Sequence, residues 1–302
     1  MKSQLVIGLD IGGTKIRAGA VSKDGQVVNS ETMPTEAAKG KAAILRNIEA
    51  AIASVSKGKA AAIGIGIAGL VDHDRGIYVQ GPNLPKSFQN VPLVKLLTDK
   101  LKIPVTIDND AHCFALAEAV FGAGHGHKTV VGVTLGTGIG GGVVMDGQIF
   151  RGRDNAAGEI GHMTIGLNHD AVCGCGQTGH FEALASGNAM AKLYKTKTGN
   201  QLAPVDVENA AKSGEKEAQA VISEMAESLA VGIASIIHAF DPDMVVVGGG
   251  LAKANILWEP AIQKIREKLI YGQLRDIPVV RAALGPDAGV IGAALLTGKI
   301  GP

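Results

Sequence analysis

Apolar positions along this chain recur at two spacings, and the two spacings predict strands and helices in turn. Short apolar runs at Leu5–Leu9, Ile16–Val21 and Gln26–Met33 predict strands. Asp24-Gly25 supplies the turn between the last two, since an Asp-Gly pair tolerates the positive backbone angles of a tight hairpin. From Lys41 to about Ser56, Ile44, Leu45, Ile48 and Ile52 fall on one face of a helix. Ala61–Ile67 predicts a buried strand, Asp72–Gly76 a turn, and Val91–Leu101 a helix with Pro92 in its first turn. Pro104–Ile107 predicts a strand that runs directly into a helix from Ala111 to about Phe121, on which Cys113, Phe114 and Leu116 read as core. The stretch GAGHGHK at 122–128 predicts a flexible connection, with His125 and His127 in a solvated loop and a domain boundary close by.

The pattern then starts again. IGLDIGGTK at 7–15 aligns with VGVTLGTGI at 131–139, and each is followed by a strand and an Asp-Gly-Gln turn, at 24–26 and 146–148. Strand, glycine turn, strand, Asp-Gly turn, strand therefore occurs twice, which predicts a duplicated fold with two glycine hairpins facing one ligand. The remainder is mostly helical. Across Glu215–Phe240, Ala218, Val221, Ile222, Met225, Leu229, Ile233, Ile236 and Ile237 keep helical spacing, and the charges sit in the first half, so the second half is expected to be buried. Asp241-Pro242 ends that helix; Met244–Val247 predicts a strand, Gly248–Gly250 a turn, Pro278–Val280 a last strand and Ala288–Leu296 a closing helix.

Composition narrows the function. Hydrophobic residues are 46% and charged residues 19% of 302, which excludes a disordered chain. The 42 glycines follow no collagen-like period, so they serve tight loops and close backbone approach. With 29 basic and 28 acidic residues, no block of like charge and 3% aromatics, neither a nucleic-acid nor a membrane partner is expected. Three cysteines, two of them one residue apart, do not make a disulfide scaffold, and no stretch reaches 18 uninterrupted apolar residues; the expected location is the cytoplasm.

The glycine turns carry the first candidate chemistry. DIGGTK places Asp10 at a strand end, then Gly12 and Gly13, then the Thr14 hydroxyl and the Lys15 ammonium. Backbone N–H groups in such a concave turn bind phosphate, and a carboxylate suits its Mg²⁺. GTGIGGG at 136–142 offers a second cradle through Gly136, Thr137, Gly138 and Gly140. Each alone reads as an ordinary glycine hairpin; as a pair they point to nucleotide phosphates. GIGIAG at 64–69 matches a dinucleotide fingerprint but runs into the Asp72–Gly76 turn instead of a helix, and no P-loop or protein-kinase catalytic loop is present.

Asp108-Asn109-Asp110 stands directly before a helix, where one of the three is expected to cap. Asp110 is in addition a candidate general base for a substrate hydroxyl, being ionised at neutral pH and placed by the helix start. Between residues 158 and 182, His162, Cys173, Cys175 and His180 fall within 19 residues and suffice for tetrahedral Zn²⁺, with His169 able to replace either histidine. Glu159 and Glu182 bracket this cluster; beside a metal-held loop they become candidates for gripping sugar hydroxyls.

Together these motifs resemble the ROK (repressor, open reading frame, kinase) sugar kinases over nearly the whole chain. DIGGTK (10–15) and LGTGIGGG (135–142) look like the family's two phosphate motifs and IDNDAHCFALAEA (107–119) like its catalytic segment. GEIGHMTIG (158–166) looks like its sugar segment, CGCGQTGHFE (173–182) its zinc segment and VVVGGGLA (245–252) its adenosine-side motif, adding Gly249 and Gly250. The resemblance implies an α/β, actin-like (ribonuclease H-like) ATPase fold, duplicated into two lobes with central mixed sheets. It implies a small lobe from 1–120 plus about 288–302, and a large lobe over 121–287 holding the zinc loop. It further implies ATP, Mg²⁺ and a structural Zn²⁺; Asp110 as the base on a sugar hydroxyl, the 6-hydroxyl; and sugar contacts from Asn109, Glu159, His162 and Glu182, with Gly69 and Asn83 as neighbours. A homodimer is implied as well.

Two departures stand out: His180 occupies a position where the family carries a third cysteine, giving a two-His, two-Cys set, and the stretch from His162 to Cys173 is one residue longer. Glucose is the expected hexose, with N-acetylglucosamine next and N-acetylmannosamine, fructose and allose behind. A sugar-sensing repressor is the remote alternative, since only nine residues precede Asp10 and none forms a basic helix; an inactive sugar-binding protein is another.

Overall fold

The computed structural model describes residues 5–56, 60–167 and 170–301. The chain divides into two compact units, one of Met1–Lys128, Gly142–Gly158 and Ala283–Pro302, the other of Thr129–Gly141 and Glu159–Ala282.

In the first unit, β1 (Leu5–Ile11), β2 (Lys15–Val21) and β3 (Val27–Pro34) form an antiparallel meander. Helix α1 (Lys41–Ser56) carries the chain back to β4 (Ala60–Ile67), which pairs parallel with β1. A hairpin of β5 (Leu70–Asp72) and β6 (Ile77–Gln80) precedes α2 (Leu93–Leu101), and β7 (Val105–Asn109) then pairs parallel with β4. No residue separates β7 from α3 (Asp110–Val120). Ile44, Ile48 and Ile52 of α1 pack with Ile7, Leu9, Ile63, Ile65 and Ile107 of the sheet in one buried cluster, the face their spacing predicts. Helix α2 starts two residues later than its apolar pattern suggests, because Val91 exchanges backbone hydrogen bonds with Tyr78.

The second strand set comprises β8 (Thr129–Leu135), β9 (Ile139–Met145) and β10 (Gln148–Ile149). Helices α4 (Phe181–Ala185), α5 (Gly187–Thr198), α6 (Pro204–Lys212) and α7 (Lys216–Phe240) follow. After them come β11 (Met244–Gly248), α8 (Asn255–Lys268), α9 (Gly272–Arg275), β12 (Val279–Arg281) and α10 (Ala288–Leu295). Sheet order is β3-β2-β1-β4-β7 in the first set and β10-β9-β8-β11-β12 in the second. Each reads third, second, first, fourth, fifth, so the repeat seen in the glycine turns is a repeat of topology. Helix α7 is long and apolar enough to cross a membrane by length and composition, but Leu229, Ala230, Ile233, Ile236 and Ile237 of its second half are buried and the helix packs on the other helices of its unit, as a core helix does.

Glycine content is spent where backbones meet. Helix α10 lies on β1 and β4 of the first unit. A Cβ at Gly8 would fall 1.9 Å from Val290 O, one at Gly64 1.7 Å from Ala293 O, and one at Gly292 1.7 Å from Cys113 O of α3. A side chain at Gly8 or Gly64 would lift α10 off the sheet, and one at Gly292 would push it off α3. The GAGHGHK segment, expected to be a loose connection, is a run of hydrogen-bonded turns; Gly124 N–H donates to Glu118 O at 2.8 Å and His127 N–H to Gly124 O at 3.2 Å.

Candidate active site

Two sets of candidate residues lie in the first unit. Asp10 is the last residue but one of β1, opposite Arg17 of β2, and Gly12 N–H closes the turn onto Lys15 O at 2.9 Å. Thr14 and Lys15 are exposed on the turn. Burial pushes the Asp10 carboxyl up, against the opposing pull of the Lys15 and Arg17 charges. A Cβ at Gly13 would meet Asn83 O at 2.7 Å, so the turn packs directly on the segment that carries the predicted sugar neighbour.

The β7–α3 junction holds the second set. Asn109 is the cap: its Oδ1 accepts from Ala111 N–H at 2.8 Å and His112 N–H at 3.2 Å, and its Nδ2 donates to Gly69 O at 3.0 Å. Gly69 has φ of 127°, and a Cβ there would lie 2.5 Å from Gln80 O, so only glycine fits. Asp110, partly exposed, opens α3, and its Oδ1 accepts from Ala111 N–H at 2.9 Å. The Tyr78 hydroxyl is pushed up to about 12, first by burial and then by the Asp110 charge. Asp108 is buried, the last strand residue but one.

In the second unit, Gly136, Thr137 and Gly138 form the turn between β8 and β9, with Gly136 N–H donating to Gly138 O at 3.0 Å. The start of α5 bonds to this turn: Gly187 N–H donates to Gly136 O at 2.8 Å and Asn188 N–H to Thr137 O at 3.2 Å. Gly140 N–H donates to Thr134 Oγ1 at 3.1 Å. Gly249, at φ of 94°, follows β11, and a Cβ there would lie 2.3 Å from Leu135 O; Gly250 beside it is exposed. The glycines of both motifs thus gather at the carboxyl ends of β8 and β11, where parallel sheets bind ligands.

Glu182, on α4, links that turn to the cysteine knuckle. Its Oε2 accepts from Ile139 N–H at 3.0 Å and its Oε1 from the Cys173 thiol at 3.4 Å. The knuckle is folded by Cys173 N–H on Gln177 O at 2.8 Å and Gly176 N–H on Cys173 O at 2.9 Å. Ligand atoms of His162, Cys173, Cys175 and His180 all lie within 4.8 Å of one another. Cys173 Sγ stands 3.6 Å from His162 Nδ1, and Cys175 Sγ 3.3 Å from His180 Nδ1. Sulfur and nitrogen on a tetrahedral zinc ion are about 3.6 Å apart, so the four residues fit Zn²⁺. Burial first, then the side-chain hydrogen bond of Cys175 and the charge and hydrogen bond of Glu182, push the Cys173 thiol up to about 11 against the lowering effect of the Cys175 backbone N–H, the environment a cation would offset. Glu159 Oε2 is 3.8 Å from His162 Nε2. The alternative ligand His169 lies outside the described residues.

A model of the ROK family matches residues 6–300. The chain belongs to the ROK family. It is 36% identical to the glucokinase of Thermotoga maritima over 96% of both chains. It is 35% identical to the N-acetyl-D-glucosamine kinase of Vibrio cholerae over 97% of this chain and 99% of the other. Its structure superposes on the ROK glucokinase of Streptomyces griseus, solved in complex with glucose and AMPPNP, with a TM-score of 0.84 at 34% identity, covering 97% of this chain and 98% of that one. The duplicated α/β, actin-like fold of ROK sugar kinases is therefore the fold of this chain.

Three groups around the β7–α3 junction of this ROK chain escaped the sequence reading. Tyr78 and Arg151 carry no local signal, and His112 sits inside the DNDAHC motif without a spacing that marks it. Asp108 drew notice only as one of three possible caps.

Proposed function

We propose that this chain is an ATP-dependent hexose kinase of the cytoplasm that transfers the γ-phosphoryl group to the 6-hydroxyl of glucose. The observation that carries the reading is Asp110: a partly exposed carboxylate at the first residue of α3, flanked by the capping Asn109 and the glycine-only position Gly69, in a chain with glucokinase relatives. Asp110 accepts the hydroxyl proton as the sugar oxygen attacks phosphorus and the bond to the ADP oxygen breaks. Asp10, Gly12, Gly13, Thr14 and Lys15, with Gly136, Thr137, Gly138, Gly140, Gly249 and Gly250, are assigned to the nucleotide. Lys15 and the turn amides offset the negative charge of the transferring group. Mg²⁺, for which Asp10 is the carboxylate at hand, would neutralise phosphate charge when bound.

Asn109, Glu159, His162 and Glu182 are assigned to the sugar, with Gly69 and Asn83 beside them. Zn²⁺ on His162, Cys173, Cys175 and His180 would hold the knuckle that stands beside Glu182. A homodimer belongs to the proposal on family resemblance.

The 35% identity to an N-acetylglucosamine kinase supports the second reading, phosphorylation of that sugar. An ADP-release assay with ATP and Mg²⁺ against glucose, N-acetylglucosamine, N-acetylmannosamine, fructose and allose decides. Glucose is expected to give the highest kcat/KM; a higher value for N-acetylglucosamine replaces glucose with it, and no turnover with any hexose defeats the kinase reading.

A further inference from the structure

The Asp108 carboxylate is 1% exposed and surrounded by nitrogen. Its Oδ1 lies 2.8 Å from His112 Nδ1 and accepts from Asn109 N–H at 2.8 Å; its Oδ2 accepts from Arg151 Nε at 2.8 Å, with His73 Nδ1 3.5 Å away. Burial alone would push this carboxyl up, but the hydrogen bond and charge of His112, the Arg151 charge and the Asn109 N–H outweigh it and hold the group below the usual carboxylate range. The carboxylate is therefore an acceptor only.

The other face of His112 meets a second acceptor. Its ring is buried, and Nε2 stands 2.8 Å from the carbonyl oxygen of Ala157. A neutral imidazole has one N–H and one lone pair, so one of its two edges would set a lone pair against an oxygen at hydrogen-bond distance. Only the doubly protonated ring serves both edges.

We infer that His112 is held as an imidazolium and is a positioning residue for Asp110. It pins the segment 151–157 to the first turn of α3, directly through Ala157 O and indirectly through Asp108 to Arg151. Close backbone packing restrains the same contact: a Cβ at Gly142 would fall 3.0 Å from His112 Cα and 2.9 Å from Ala115 Cβ. Among the described residues, the charged and titratable groups tied to this cluster include Asp108 of β7, which contacts the ring, Arg151 after β10 and His73 of the β5–β6 turn, which contact Asp108, and Asp110 and Cys113 on α3 itself. His73 Nδ1 is 2.8 Å from Ile107 O, to which it donates. Burial, then the charges of Asp108, Asp110 and Asp10, push the Cys113 thiol well up, so it stays neutral. The buried Asp108 carboxylate thus faces one guanidinium and one imidazolium. Loss of the ring proton removes a cation from this set and one of the two clamps, and it loosens the turn that aims Asp110.

The role given to Asp110 rests on the proposed kinase activity; the charge of His112 does not, and the test separates them. In wild-type protein with ¹⁵N-labelled histidine, assigned by comparison with H112Q, both His112 ring nitrogens are expected to be protonated at pH 7.5, well above the titration of an ordinary histidine near about 6.5. The kcat for the hexose is expected to fall over the pH range in which that ring titrates, with KM for the hexose changing less than about threefold. H112Q is expected to lower kcat at least ~10-fold, the scale of a misaligned reacting group. A neutral His112 tautomer at pH 7.5 overturns the inference, as does a kcat that stays flat across the ring's titration. A wild-type protein with a protonated His112 and no hexose kinase activity would sink the proposed function and leave the charge assignment standing.

Discussion

Glu118 offers the sharpest test of how the first unit is held together. The residue is fully buried near the end of α3, and its two oxygens accept three backbone N–H groups. Ala123 and Ala283 donate to Oε2 at 2.9 and 3.0 Å, and Leu284 donates to Oε1 at 2.9 Å, so one carboxylate ties α3 to the strand of chain that leads into α10. Glu118→Gln preserves shape but removes the charge and turns one oxygen into a donor. With the amide oxygen in the Oε2 position, two bonds survive as neutral bonds and the Leu284 N–H faces an NH₂ group. Hydrogen bonds to a charged group contribute about 1.5–3 kcal/mol and neutral ones about 0.5–1.5, so each surviving bond loses about 1 kcal/mol. The broken bond and its orphaned donor cost about 1.5–3 kcal/mol more, for a total of about 3.5–5 kcal/mol. Burial removes solvent screening, so no discount applies. Urea unfolding at pH 7 should show that loss in the transition of the first unit, and hydrogen exchange should quicken at Leu284 and the opening of α10. A midpoint unchanged within error, with exchange at Leu284 as slow as in the parent, would refute the reasoning.

Asp110→Asn should cut kcat by about 10²–10⁴ with hexose binding retained, as loss of a general base does; near-normal turnover in steady-state kinetics removes Asp110 from that role. The Asp10 carboxyl is raised, so the folded chain keeps its proton to higher pH than the unfolded chain, and this residue's contribution to stability declines as pH climbs from about 4 through the folded value. Asp10→Asn should accordingly raise the urea midpoint of the ligand-free protein at neutral pH while abolishing turnover, and a lowered midpoint contradicts the assignment. Native mass spectrometry should find one zinc per chain and none in Cys173→Ser/Cys175→Ser. Chelation should weaken hexose affinity more than ATP affinity, since the knuckle beside Glu182 and His162 loses its anchor; equal losses for both ligands would count against that link.

Much of the candidate site was legible because its chemistry is written in short, local patterns. Glycines one and two residues beyond a strand end, a carboxylate at the first residue of a helix, and two cysteines one residue apart each depend on backbone conformations set by near neighbours. The duplication was readable for the same reason: the two glycine turns and the two Asp-Gly turns repeat in order, and the identical sheet orders are their consequence. The buried half of α7 followed from where its charges stop.

What needed the folded chain is whatever depends on residues far apart in sequence. Arg151 reaches Asp108 across 43 positions and Leu284 reaches Glu118 across 166, and no periodicity or motif records either pairing. The same limit hid why Gly8, Gly64 and Gly292 are glycine, since the backbones they admit belong to α10 and α3. It also misplaced the start of α2, where a bridge from Val91 to Tyr78 overrides helical spacing. Local preference determined the turns, the caps and the ligand types; long-range packing alone decided which buried charges meet, because a charge is stable inside a protein only where the fold brings it a partner.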